Sequence, residues 1–139
     1  MTKADYETLA SFRYELRKFL NFSERAAEDH GLASQQYLSL LAIEGFPGRD
    51  FVTIGELAER LKIAAHSAVG LVDRLEAGGL VKRGASDQDR RRVLVRLTKR
   101  GRGKLEKLAS VHRTEHRTVG PLLVGLLKQV TSTPLSKVS

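Results

Sequence analysis

The chain has 139 residues, of which 41% are hydrophobic, and carries a formal net charge of +8. That length supports one compact domain or a domain with an accessory arm, and the absence of cysteine excludes disulfides, thiolate metal sites and cysteine redox chemistry. The start, Met1 to Glu7, has no apolar h-region, and the longest strongly apolar stretch, Pro121 to Leu127, is far short of the ~20 residues that span a bilayer, so a soluble, cytoplasmic protein is expected.

The first segment, Tyr6 to about His30, predicts a helix, because Tyr6, Leu9, Phe12, Leu16, Phe19, Leu20 and Ala27 recur mostly at three- and four-residue spacing with charged residues between them. Gly31 ends it, and Ser34 is suited to cap a second helix over Gln35 to Glu44 that buries Tyr37, Leu38, Leu40 and Leu41. Gly45-Phe46-Pro47-Gly48 is a turn, and Phe51-Val52-Thr53 is short and β-prone. Thr53 and Glu56 form a capping box at the head of a short helix through Leu61. Lys62-Ile63-Ala64 then leads to a helix over about 65–77, stopped by Gly78-Gly79.

The period next changes from helical to two. Leu80 to Arg83 and Val93 to Leu97 read as antiparallel strands joined by the polar loop Gly84 to Arg92. Thr98 can cap a long helix to about Arg117, Gly120-Pro121 breaks the chain, and Leu122 to Val130 forms a last short helix. Residues 131–139 are expected to be a flexible tail.

The order is helix, helix, short strand, helix, helix, hairpin, helix, helix, and its middle part, residues 52 to 97, has the plan of a winged helix-turn-helix, in which the second short helix is presented to DNA beside a hairpin wing. Leu57, Ala58, Leu61, Ile63, Ala68, Leu71, Val72 and Leu75 supply its packed seam. The charge agrees with that plan. Lys82 to Lys107 holds eleven basic and three acidic residues, so these 26 positions carry the whole net charge of +8. One-signed charge at such density fits a polyanion better than a generally solvated face.

On the expected recognition helix, His66, Ser67, Val69 and Gly70 are free to face outward near its start, with Arg74 one turn later. Hydroxyl, imidazole and apolar groups there can meet base edges and thymine methyls, and Arg74 suits a phosphate. Asp73 cannot face DNA comfortably and should pair with an arginine at the base of the wing.

Leu71 to Val81 (LVDRLEAGGLV) and Asp89 to Thr98 (DRRRVLVRLT), with Thr53 to Ala58 opening the third helix, closely resemble the MarR family of bacterial transcriptional regulators. The resemblance extends over nearly the whole chain. It implies a mainly α (α+β) fold, a winged helix-turn-helix with N- and C-terminal dimerisation helices. It implies also a homodimer in which each chain meets half of a pseudo-palindromic operator. The family's wing motif falls on Asp89 and Arg91, the arginine reaching into the minor groove and the aspartate orienting it, with Arg90, Arg92 and Lys99 nearby. Ser67 falls where the family has a serine or threonine. Two positions depart: the turn usually carries glycine where Lys62 stands, and Gly70 stands where many members have arginine. The family also binds small aromatic or anionic effectors between arm helices and DNA-binding lobe, which makes Phe19, Phe22, Tyr37 and Leu41 candidate lining residues here.

A rival signal lies in His112-Arg113-Thr114-Glu115-His116, which matches the H-x-x-E-H pattern of inverted zinc peptidases and places both histidines on one helix face. After His116 the chain has no Asp, Glu, His or Cys to serve as a third ligand, so a surface or interface role is favoured over a metal site of His112, Glu115 and His116, or one shared with His30.

The expectation is therefore a dimeric, ligand-responsive repressor of transcription, not an enzyme, with no cofactor, no membrane partner and double-stranded DNA as its target. Residues 1–33 and 99–130 would form the dimerisation region and 34–98 the DNA-binding lobe, with the recognition helix at about 65–77 and the wing at about 80–97. A metal-dependent hydrolase on 112–116 and an effector-less architectural nucleic-acid-binding protein are the alternatives.

Overall fold

The computed structural model describes residues 1–132. In chain order the elements are α1 (Lys3–Asp29), α2 (Ser34–Glu44), β1 (Phe51–Val52), α3 (Ile54–Leu61), α4 (Ala65–Ala77), β2 (Val81–Ala85), β3 (Val93–Leu97) and α5 (Lys99–Ser132). This is the predicted mainly α winged helix, with its strands in the antiparallel order β1-β3-β2. The described residues divide into two compact units, residues 27–109 and residues 1–26 with 110–132.

The first of these units is the winged helix. Val52 and Val95 pair across β1 and β3 and are fully buried, as are Leu40 and Ile43 of α2, Leu57 of α3, and Val72 and Leu75 of α4. The predicted seam of α3 and α4 is the core of this lobe; only Leu61 and Ile63 are half-buried. Thr53 caps α3 as expected: its hydroxyl accepts the Glu56 amide at 3.2 Å and the Glu56 carboxylate accepts the Thr53 amide at 2.9 Å. Partial burial works against the charged form of Glu56. The Thr53 amide and the Arg49 guanidinium outweigh it and hold the carboxyl below its usual range.

At the end of α4, Gly79 takes φ +73, a left-handed conformation that costs glycine nothing. The chain then turns sharply enough for the Leu80 amide to reach back to the Leu75 carbonyl at 2.9 Å, and β2 begins at once. Thr98 joins wing and helix: its hydroxyl donates to the Gly79 carbonyl at 2.6 Å and accepts the Gly101 amide at 3.0 Å.

The second unit joins most of α1 to the later part of α5. The Thr2 hydroxyl and the Asp5 carboxylate cap α1 reciprocally. On α1, Phe12, Phe19 and Phe22 turn partly inward and Ser23 is buried, whereas Tyr6, Leu9, Leu16 and Leu20 are exposed. The single apolar stripe read from the periodicity is thus two stripes, one packed and one on the surface.

Several local expectations are corrected. Ala33, not Ser34, is the cap residue of α2, and Gln36 Oε1 accepts the Ala33 amide at 3.0 Å in place of a hydroxyl cap. Leu38 and Leu41 are exposed, and their predicted core places are taken by Ser39 and Ile43. Ser39 survives burial because its hydroxyl donates to the Gln35 carbonyl at 2.7 Å. β2 runs on to Ala85, paired opposite Val93. Gly120-Pro121 breaks nothing, since α5 continues through Pro121. Proline forfeits one backbone hydrogen bond, yet Val119, Leu123, Leu126 and Val130 keep a half-buried stripe at helical spacing across it. Thr131 and Ser132 close α5, and the rest of the expected tail lies outside the described residues.

Candidate nucleic-acid interface

α3 and α4 meet across a turn centred on Lys62, which holds φ 55 and ψ 48, a left-handed backbone on a residue with a Cβ. That conformation lets the Ile63 amide bond the Ala58 carbonyl at 3.0 Å and turns the chain into α4 without an intervening loop. The departure from glycine noted at this position is thus accommodated with backbone strain.

Ala68, Leu71, Val72 and Leu75 anchor α4 in the core. Its opposite face leaves His66, Ser67, Val69 and Arg74 exposed and Gly70 half-exposed. Because Gly70 has no side chain, Arg74 lies back along the helix, its Nη1 3.5 Å from where a Cβ at Gly70 would stand. The five predicted recognition-helix residues therefore share one outward face.

Asp73 and Glu76, on the flank of that face, hold the wing. Arg83 of β2 donates to Asp73 Oδ1 at 2.6 Å and to Glu76 Oε1 at 3.0 Å, and its backbone amide donates to Glu76 Oε2 at 2.8 Å. The Arg83 amide and guanidinium hold the Glu76 carboxyl below its usual range, while the Asp73 carboxylate pushes the guanidinium further up. The expected partner of Asp73 at the wing base is thus Arg83. The second carboxylate, Glu76, was not foreseen, although its place three residues after Asp73 puts both on one side of the helix.

In the wing loop, the Ser86 amide bonds the Arg92 carbonyl at 3.0 Å, and the Ser86 hydroxyl accepts the amides of Gln88 and Asp89. Asp89 Oδ1 accepts the Arg91 amide at 3.0 Å and meets its Nε at 3.5 Å. The carboxylate orders the turn and leaves the Arg91 side chain 93% exposed. Arg90 and Arg92 are exposed beside it, and Lys99 is exposed in the first turn of α5. Ser86 is the residue missed here, though a serine three positions before an aspartate in a polar loop is a turn signal.

The remaining candidates are divided. Tyr37 is buried in the winged-helix unit, where burial pushes its hydroxyl up, and Leu41 is exposed there. Phe19 and Phe22 belong to the helical unit. Phe22 lines a cleft of about 370 Å³ with Lys18, Asn21, Arg25 and Glu115. His112 is buried, its Nε2 2.8 Å from Ser23 Oγ and its ring edge-on to Phe19 and Phe22, while His116 lies against Phe19 at 4.8 Å. Among the described residues no three His, Asp or Glu side chains converge on a point that could hold a metal. The histidines of the H-x-x-E-H pattern are engaged in packing.

The sequence model of the MarR family matches residues 30–92. The transcriptional activatory protein BadR of Rhodopseudomonas palustris is 36% identical over 85 residues, which are 61% of this chain and 49% of BadR. The chain thus spans about half the length of that relative. Among solved structures, an S. aureus MepR mutant bound to an oligodeoxyribonucleotide superposes with a TM-score of 0.68 at 20% identity, over 88% of this chain and 95% of that one. Bordetella bronchiseptica BpsR, solved to explain regulation of its DNA binding by 6-hydroxynicotinic acid, gives 0.61 at 21% identity over 88% and 91%. These two likenesses establish the fold.

Proposed function

Because residues 30–92 match the sequence model of the MarR family, we propose that this chain is a dimeric transcriptional repressor that reads a pseudo-palindromic operator and is released by a small ligand. The observation that carries the proposal is the joining of an outward α4 face to a basic wing by a single arginine, Arg83. α4 would enter the major groove with His66, Ser67 and Val69 toward base edges and Arg74 toward the backbone. Arg91, aimed by Asp89, would enter the adjacent minor groove, where a narrow A·T tract attracts a guanidinium. Arg90, Arg92 and Lys99 would meet phosphates, giving a steep salt dependence.

The exposed apolar residues of the helical unit support a homodimer. Tyr6, Leu9, Leu16 and Leu20 on α1 and Leu122, Val124 and Leu127 on α5 are open to solvent in a single chain, and such an apolar surface is normally covered by a partner. In a two-fold dimer the half-sites lie about one helical turn, ~34 Å, apart. Release by a small aromatic or anionic effector draws support from BpsR, whose DNA binding is regulated by 6-hydroxynicotinic acid. Within the helical unit, Phe22 and its neighbour Phe19 are the candidate contacts. A cytoplasmic site of action follows from the DNA target, and no described helix is long and apolar enough to cross a membrane.

The test is competition between a palindromic fragment from the gene's own upstream region and bulk DNA, with the oligomeric state measured by sedimentation. Preference for the palindrome by a dimer supports the repressor. Equal affinity for both would favour the architectural reading instead. The hydrolase reading is disfavoured by the engagement of His112 with Ser23.

A further inference from the structure

The wing sheet has a second face, turned away from the core. Phe51, Arg96 and Lys82 stand in register across β1, β3 and β2 on that face. Arg49, from the turn before β1, packs its guanidinium against two rings, 4.3 Å from the Phe46 centroid and 4.9 Å from that of Phe51. Arg96 lies 4.6 Å from the same Phe51 centroid. One aromatic ring therefore gathers two guanidinium groups that would otherwise repel.

Beside them opens a cleft of about 250 Å³, lined by Arg49, Phe51, Arg92, Leu94 and Arg96 with Ser86, Asp87 and Gln88 of the wing loop. Arg49 is paired with Glu56. Among the described residues, neither Arg92 nor Arg96 forms an ion pair. Even with Glu56 answering Arg49 and Asp87 on the rim, the cleft keeps an excess of positive charge. Its cations come from three separate segments, the turn after α2, the end of the wing loop and β3, whereas its floor, Leu94, is apolar and buried.

We propose that this cleft on the outer face of the wing is a binding site for a phosphate group, held by Arg92 and Arg96 with Arg49 behind them. Guanidinium forks match phosphate oxygens in paired hydrogen bonds. A tetrahedral phosphate offers oxygens in several directions to cations arriving from three segments, where a planar carboxylate offers two. Stacking on Phe51 and Phe46 holds Arg49 and Arg96 in place before any anion arrives, which lowers the ordering cost of binding. Ser86 and Gln88 add neutral donors at the rim. The phosphate can belong to a free phosphorylated molecule or to the backbone of DNA flanking the wing; the guanidinium chemistry is the same.

The test uses the full chain without DNA. The arginine Nε–Hε resonances are followed by ¹H–¹⁵N NMR during titration with inorganic phosphate at constant ionic strength, with acetate as the comparison anion. Saturable shifts confined to Arg49, Arg92 and Arg96 are expected with phosphate and not with acetate. Arg96→Gln should weaken that binding several-fold, and Arg60→Gln, which removes a guanidinium stacked on Phe46 outside the cleft, should leave it unchanged. Amide spectra of both variants check that the fold is kept. Shifts that do not saturate, that spread over all arginines, or that acetate reproduces overturn the site.

A second arm separates the sources. If a backbone phosphate occupies the cleft, Arg96→Gln lowers the salt slope of binding by about one on a long duplex but not on one trimmed to the wing's footprint. If the slope is unchanged while inorganic phosphate still binds, the occupant is a free phosphorylated molecule. Because the first arm contains no DNA, its failure is distinguishable from failure of the repressor reading.

Discussion

Arg83 and Glu76 are joined twice, once through the guanidinium at 3.0 Å and once through the Arg83 backbone amide at 2.8 Å. The first bond resists sliding of the wing over α4, and the second pins the β2 backbone itself. The angle between α4 and the wing is thereby set by a carboxylate whose charge depends on pH. Glu76 titrates below its usual range, so its contribution is complete above the unfolded value of about 4.3 and is lost as pH falls through the lower folded value. The Arg83 amide resonance should therefore move, and its protection against exchange fall, as pH drops below the ordinary carboxyl range. Glu76→Gln should abolish that step. An Arg83 amide that stays constant down to the pH of global unfolding would show that the strap does not titrate.

Arg91→Ala should weaken operator binding by about 1–3 kcal/mol and relax preference at the minor-groove positions. Asp89→Ala should act in the same direction and less, because it removes the aim and leaves the charge. Lys99→Ala should cost less and cost it equally on all sequences, with a salt slope reduced by about one. Unchanged operator affinity of Arg91→Ala at physiological salt would remove the wing from the interface.

Gly101→Ala should destabilise the winged helix by roughly 1–3 kcal/mol. A Cβ at this position would sit on the backbone carbonyl of Leu80, well inside contact distance. The backbone cannot yield without disturbing the bond from the Thr98 amide to that same carbonyl, 3.0 Å long. Thermal denaturation of the variant measures the loss. Gly103→Ala, with open space around it, is the control and should be neutral or slightly stabilising.

Lys62→Gly should stabilise the chain by about 0.5–1 kcal/mol, the left-handed strain relieved less the entropy that glycine adds to the unfolded state. The ion pair lost with Glu59 is exposed and offsets little. A rise in Tm of a few degrees is the expected reading. If Tm falls instead, the turn needs the lysine side chain for a reason other than backbone geometry.

Much of the winged-helix lobe was legible because its signals are local. The Thr53 and Glu56 cap, the stop at Gly78-Gly79, the change of period at Leu80 and the basic run after Lys82 each depend on residues a few positions apart, and α4 lies at the predicted residues 65–77. Asp89 and Arg91 came from the resemblance to the family's wing motif, and the structure shows the contact between them. The split of the α1 stripe, the exposure of Leu38 and Leu41 and the passage of α5 through Pro121 were not readable in this way. Periodicity names an apolar face without saying what covers it, and a breaker's cost is weighed against packing that lies elsewhere in the chain.

By itself, then, the sequence determined the order of elements as far as the wing, the helix-turn-helix seam and the placing of its whole net charge between Lys82 and Lys107. Only the tertiary structure decided where those charges work. Arg83 is committed to the flank of α4, Arg91 to the wing tip, and Arg96 to an aromatic cluster with Phe51 and Arg49 on the far side of the sheet. Charge follows from composition, but direction follows from strand register and from partners dozens of residues away, and neither is written in any local run of residues.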